Sequence, residues 1–151
     1  MSFNQTRDLL DVARQFHLNL TALYEKMVER AATEEARALI GTLIDHEQIL
    51  EQRLGEYEEE VSTNILDTYF KYVVEEHSKC FQDYVLPDSM SSMDVIEATR
   101  HFDQCLSDFY EEMARKSLSE QVRDVLLNLT QMELHEQMSL SRRTLELVAS
   151  Y

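Results

Sequence analysis

Glycine and proline are nearly absent from this chain: Gly41, Gly55 and Pro87 are the three such residues in 151. Sandwiches and barrels turn often and use these residue types to do so, which leaves an all-β architecture almost nothing to turn with. Tryptophan is missing, and the two cysteines, Cys80 and Cys105, cannot supply a disulfide framework. They read as half-buried packing groups rather than catalysts. Basic residues are scarce too, 14 against 29 acids, leaving a formal charge of −15. A surface of that sign repels phosphate backbones and anionic headgroups, so neither nucleic acid nor a membrane surface is an expected partner. Every apolar run meets an acid or base well before the eighteen or so residues needed to span a bilayer. With no basic-then-apolar leader at its start, the chain is expected to be cytoplasmic.

What is present is helical pattern. A hydrophobic content of 44% suits one compact domain over residues 1–151. Leu9, Ala13, Phe16, Leu20, Leu23, Met27 and Ala31 recur at helical spacing and predict a first helix over 4–31. Thr33, followed by Glu34 and Glu35, is a good cap for a second, which ends between Gly55 and Glu60 and closes a hairpin over 4–60. The acidic run Glu56 to Glu60 reads as a solvated face or a frayed end. Residues 61–91 form a crossover in which Ile65, Leu66, Tyr69, Phe70, Val73, Val74, Phe81 and Tyr84 predict a helix over 64–84. After Pro87, Ser91 with Asp94 starts a helix over 92–116, and Ser117 with Glu120 a helix over 118–149. These two make a second hairpin over 92–149.

The hairpins repeat each other. A shift of 86 residues sets Arg14 on Arg100, Phe16 on Phe102, Tyr24 on Tyr110, Met27 on Met113, Glu34 on Glu120, Leu43 on Leu129 and Glu47 on Glu133, without a gap. Two such hairpins joined by a long connection predict an all-α four-helix bundle with one crossover, carrying an additional helix in that crossover.

Five ionisable residues fall on the apolar stripes of these helices: His17, Glu47, Asp103, Glu133 and Glu136. Tyr24 and Tyr110 stand seven residues after His17 and Asp103, Glu47 and Glu133 follow 23 residues after the tyrosines, and Leu50 and Glu136 lie three beyond. In this spacing the chain resembles the ferritin-like superfamily, and within it the rubrerythrin-like proteins, over residues 8–55 and 94–145. Family members place Glu in both first-helix positions and a Glu-x-x-His motif in both second helices. Here His17 and Asp103 replace the first pair, while Leu50 and Glu136 replace the histidines.

The resemblance implies a mid-bundle site for one or two metal ions, iron or manganese, that handles iron or peroxide. His17, Glu47, Asp103, Glu133 and Glu136 would be the ligands, with Glu47 and Glu133 bridging. Asp103, Glu133 and Glu136 form an all-carboxylate half suited to hard cations. Two distant cysteines exclude a rubredoxin-like domain, so a redox protein would need an external electron donor. Buried carboxylates must be neutralised in any case, by a cation, by shared protons, by water or by Arg14 and Arg100. Leu50, which cannot ligate, supports the alternative of a metal-free ferritin-like scaffold acting as a dimer or an adaptor. His46 and His135 read as surface or supporting histidines, and His77 and His101 have no partner at ligand spacing. The aromatic excess around Tyr69, Phe70, Tyr72, Phe81 and Tyr84 fits either a homodimer face or a cover for the bundle within one chain.

Overall fold

The computed structural model describes residues 4–67, 69–70, 78–117 and 119–151, with side chains left out at 4, 69–70 and 78. Among these residues it is all-α apart from one pair of two-residue strands. In chain order the elements are β1 (Asn4–Gln5), α1 (Thr6–Val28), α2 (Glu34–Glu60), α3 (Thr63–Leu66), β2 (Tyr69–Phe70), α4 (Ser78–Gln82), α5 (Ser92–Lys116) and α6 (Glu120–Ala149). No described helix is long and apolar enough to cross a membrane.

Local chemistry sets the ends of the long helices. The Thr33 hydroxyl accepts from the Ala36 amide at 3.0 Å and starts α2. Ser91 and Asp94 form the expected reciprocal box, with Asp94 N–H donating to Ser91 Oγ at 3.1 Å and Ser91 N–H to Asp94 Oδ2 at 2.9 Å. The last helix departs from its sequence reading. Ser119, rather than Ser117, caps α6 by accepting from Val122, while Ser117 ends α5 and hydrogen-bonds the Ser119 backbone. α2 and α6 begin at Glu34 and Glu120, 86 residues apart, so the second hairpin keeps the repeat's register at this turn.

One hydrophobic cluster joins the four long helices. Repeat-mates are buried in pairs: Phe16 with Phe102, Leu20 with Leu106, Tyr24 with Tyr110, Met27 with Met113 and Leu43 with Leu129. Each helix therefore turns the same stripe to the common core. α2 touches α1, α5 and α6. Arg14 of α1 lies across α2, where its guanidinium pairs with Glu51 at 2.9 Å and Glu58 at 3.3 Å. Gly55 lies beneath it, where a Cβ would sit in ordinary contact, 3.4 Å from the guanidinium. The acidic end of α2 is thus helical to Glu60 and partly neutralised.

The crossover corrects the expected helix over 64–84. α3 stops at Leu66, Asp67 caps it, and the chain then extends to pair β2 antiparallel with β1. Helical spacing of apolar residues could not reveal this partner, which lies more than sixty residues upstream. Tyr72, Val73, Val74 and His77 lie outside the described residues, as do the side chains of Tyr69 and Phe70. Helix resumes in α4, where Phe81 packs on Phe16 and Phe102 with ring centroids 5.4 and 4.9 Å away. Tyr84 stacks on His101 at 4.7 Å. Phe81 and Tyr84 therefore cover α1 and α5 within one chain rather than forming a free dimer face. Buried Met90 closes the connection by exchanging backbone hydrogen bonds of 2.7 Å with Arg30 and Ala32 in the α1–α2 turn.

Candidate functional site

His17 projects from α1 into the core, 1% exposed, because it shares a helical face with Ala13, Leu20 and Tyr24. Glu47 of α2 and Glu133 of α6 reach it from opposite sides, 2% and 6% exposed. His17 Nδ1 lies 2.5 Å from Glu47 Oε2, and His17 Nε2 lies 2.8 Å from Glu133 Oε1. The same Glu133 oxygen accepts a hydrogen bond from the Tyr110 hydroxyl of α5 at 3.3 Å. One polar chain, Tyr110–Glu133–His17–Glu47, thereby crosses all four long helices.

The geometry, taken with ionised carboxylates, favours one protonation state. A neutral imidazole has a single N–H, and its other nitrogen would face a carboxylate as acceptor against acceptor. With both carboxyls ionised, each nitrogen donates, which makes His17 an imidazolium. Burial alone would lower its pKa. The charge and hydrogen bond of Glu133, then those of Glu47, outweigh that and push it up to about 10. Burial raises Glu47, with His17 pulling the other way. Burial also lifts the Tyr110 hydroxyl, with the negative charge of Glu133 adding to it, so Tyr110 stays a donor.

The other two expected ligands do not bond to His17: Glu136 is paired with Arg53, and Asp103 lies beside Glu133. Glu136 is buried, but it is held by Arg53 of α2, whose Nε lies 3.0 Å from Glu136 Oε1. Leu50, its repeat-mate, is buried as an apolar core residue. Asp103 lines a cavity of about 400 Å³ between α5 and α6, together with Arg100, Tyr110, Thr130, Glu133 and Gln137. Burial, with the charges of Glu47 and Glu133, lifts its carboxyl to about 7. Among the described residues, no three of His17, Glu47, Asp103, Glu133 and Glu136 bring ligand atoms within 4.8 Å of one another. Both nitrogens of His17 are occupied by the two carboxylates that were expected to bridge metals. As placed, these donor atoms contact one another and Arg53 rather than converging on one point.

Arg14, His46 and the two cysteines differ from their sequence readings. Arg14 neutralises Glu51 and Glu58, not the core carboxylates. His46 is 1% exposed, which removes the surface half of its reading, and burial, aided by the charges of His17 and Arg143, lowers its pKa to about 4. His135 is exposed, as a surface histidine should be. Tyr24 is buried in the core and donates to Thr99 Oγ1 at 3.4 Å. Cys80 and Cys105 are joined in a disulfide with Cα atoms 6.4 Å apart, and His101 lies beside both sulfurs.

Sequence reasoning missed that last cluster, although His101 and Cys105 stand four apart on one helical face. Cys80 has no such local signal, because what brings α4 to α5 is the path of the crossover, which local spacing does not encode. The chain matches no protein-family model, no curated protein and no solved structure.

Proposed function

We propose that this chain is a ferritin-like scaffold in which a histidine cation stands where relatives of that fold hold metal, and that it acts through association of its own copies. The observation that carries the reading is His17 donating to Glu47 and Glu133 at 2.5 and 2.8 Å. An imidazolium there supplies the positive charge that two buried carboxylates require. Leu50 in place of a ligand and the Arg53–Glu136 pair support the same view. The ferritin-like part rests on the gapless repeat, which pairs His17 with Asp103 and Glu47 with Glu133. Iron and manganese then have no role in the core, and no electron donor is needed.

The surface reading rests on α6. Leu127, Leu134, Met138, Leu145 and Val148 are 43–72% exposed and recur every three, four or seven residues, so they form one stripe along the helix. From Leu127 to Val148 the stripe runs about 32 Å at 1.5 Å per residue. A second copy can lie on it by symmetry: antiparallel pairing about the midpoint between Gln137 and Met138 sets Leu127 against Val148 and Leu134 against Ser141. Charge agrees with this choice. The exposed charges beside the stripe, Arg123, Asp124, Arg142 and Glu146, balance, on a chain of −15 whose acidic surfaces elsewhere would repel a copy of itself. Sedimentation should give a dimer for the native chain and a monomer of unchanged helicity for the Leu134→Lys, Met138→Lys variant. A native monomer, or an unaffected dimer in the variant, would sink the association.

A further inference from the structure

Outside the core, Cys80, His101 and Cys105 form the one group among the described residues whose potential metal-ligand atoms all lie within 4.8 Å of one another. His101 and Cys105 are adjacent turns of α5, and α4 brings Cys80 to them. His101 Nε2 stands 3.7 Å from Cys80 Sγ and 3.8 Å from Cys105 Sγ. In a tetrahedral site with Zn–S of about 2.3 Å and Zn–N of about 2.0–2.1 Å, sulfur and nitrogen are roughly 3.5–3.6 Å apart. The nitrogen is thus already near the correct edge from both sulfurs. All three residues are partly rather than fully buried.

We propose that the reduced form of this group is a zinc site, and that the Cys80–Cys105 disulfide is the oxidised form that closes it. A dithiol reductant cleaves the S–S bond. Its two thiols become a cyclic disulfide, and the two electrons and two protons pass to Cys80 and Cys105. Binding of Zn²⁺ then releases both protons as the sulfurs become thiolates. His101 now donates its Nε2 hydrogen to the Cys80 carbonyl at 3.0 Å. To ligate, it moves that proton to Nδ1 and turns its Nε2 lone pair to the metal. Two thiolates and an imidazole favour zinc over the hard cations that carboxylates select. Three protein ligands leave the fourth position to water.

Either state ties α4 to α5, by a covalent bond when oxidised and by the metal when reduced. The aromatic contacts of Phe81 and Tyr84 are held by both. The site is independent of the core reading, because none of its residues touches His17, Glu47 or Glu133 in a hydrogen bond or ion pair described above.

The test is anaerobic titration of the full chain with Zn²⁺, with and without prior reduction, followed by Co²⁺ substitution. The reduced chain should bind one equivalent. Its Co²⁺ form should show a thiolate-to-cobalt charge-transfer band in the near ultraviolet, which carboxylate ligation cannot give. The oxidised chain, and Cys105→Ser, should bind more than a hundredfold more weakly. His101→Gln should weaken binding at least tenfold while its helicity is unchanged, and Glu47→Gln should bind as the native chain does. Equal zinc affinity in oxidised and reduced protein, a Co²⁺ spectrum without the thiolate band, or no uptake by a reduced chain that circular dichroism shows to be folded would each overturn the proposal.

Discussion

His17→Ala is expected to destabilise the protein by about 3–5 kcal/mol at neutral pH, the usual loss when one partner of a buried ion pair is removed. For a chain of this size that is a fall in thermal midpoint of roughly 6–20 °C. The loss comes from what remains, since Glu47 and Glu133 would face an empty space with no cation between them. Neutral replacements should relieve it, and His17→Ala combined with Glu47→Gln and Glu133→Gln should recover more than half of the loss. The pH dependence has a definite sign. The folded pKa of His17 is raised from 6.5 to about 10, so its contribution is complete below pH 6.5 and disappears as pH rises through 10. Native protein should therefore lose stability between pH 7 and 10, and His17→Ala should show a much flatter profile there. Denaturant midpoints across that range check both statements. A variant as stable as the native chain would mean that the carboxylates are neutralised by something else.

Breaking the Cys80–Cys105 link is the second large effect. The bridge joins residues 25 apart, and closing a loop of that length removes about 3–4 kcal/mol of unfolded-chain entropy. Urea midpoints with a chelator present should fall by that equivalent on adding a dithiol, and equally in Cys105→Ser. The reductant should then have no further effect on the variant. Because α4 carries Phe81 and Tyr84 onto α1 and α5, the first region to open should be the crossover. Hydrogen exchange at residues 79–86 should quicken on reduction while the middle of α2 stays protected. A midpoint that ignores the reductant would contradict the bridge.

The four long helices were legible because each buries a regular stripe and because Thr33 and Ser91 carry cap chemistry in the sequence itself. The crossover was not. Its apolar spacing fits a helix, yet the segment after Asp67 gains more by pairing with Asn4–Gln5, a partner that no local pattern encodes. The core site divides along the same line. Stripe position showed that His17, Glu47 and Glu133 point inward, and they do meet. Glu136 shares that property but meets Arg53, because periodicity gives the face a residue presents and not the charge waiting opposite. The histidine reading turned on the same limit. A ligand imidazole and an imidazolium counterion occupy the same sequence position, and what separates them is the placing of both ring nitrogens against carboxylates.

The most direct test of the central claim is the nitrogen-15 spectrum of His17, recorded from pH 6 to 11 with and without one equivalent of Mn²⁺. The account predicts that both ring nitrogens carry protons at pH 7, that the ring titrates near 10, and that the manganese leaves its signals sharp. A neutral ring titrating below 7, with resonances broadened by stoichiometric Mn²⁺, would show that the carboxylates hold a metal and that the imidazolium does not stand in its place.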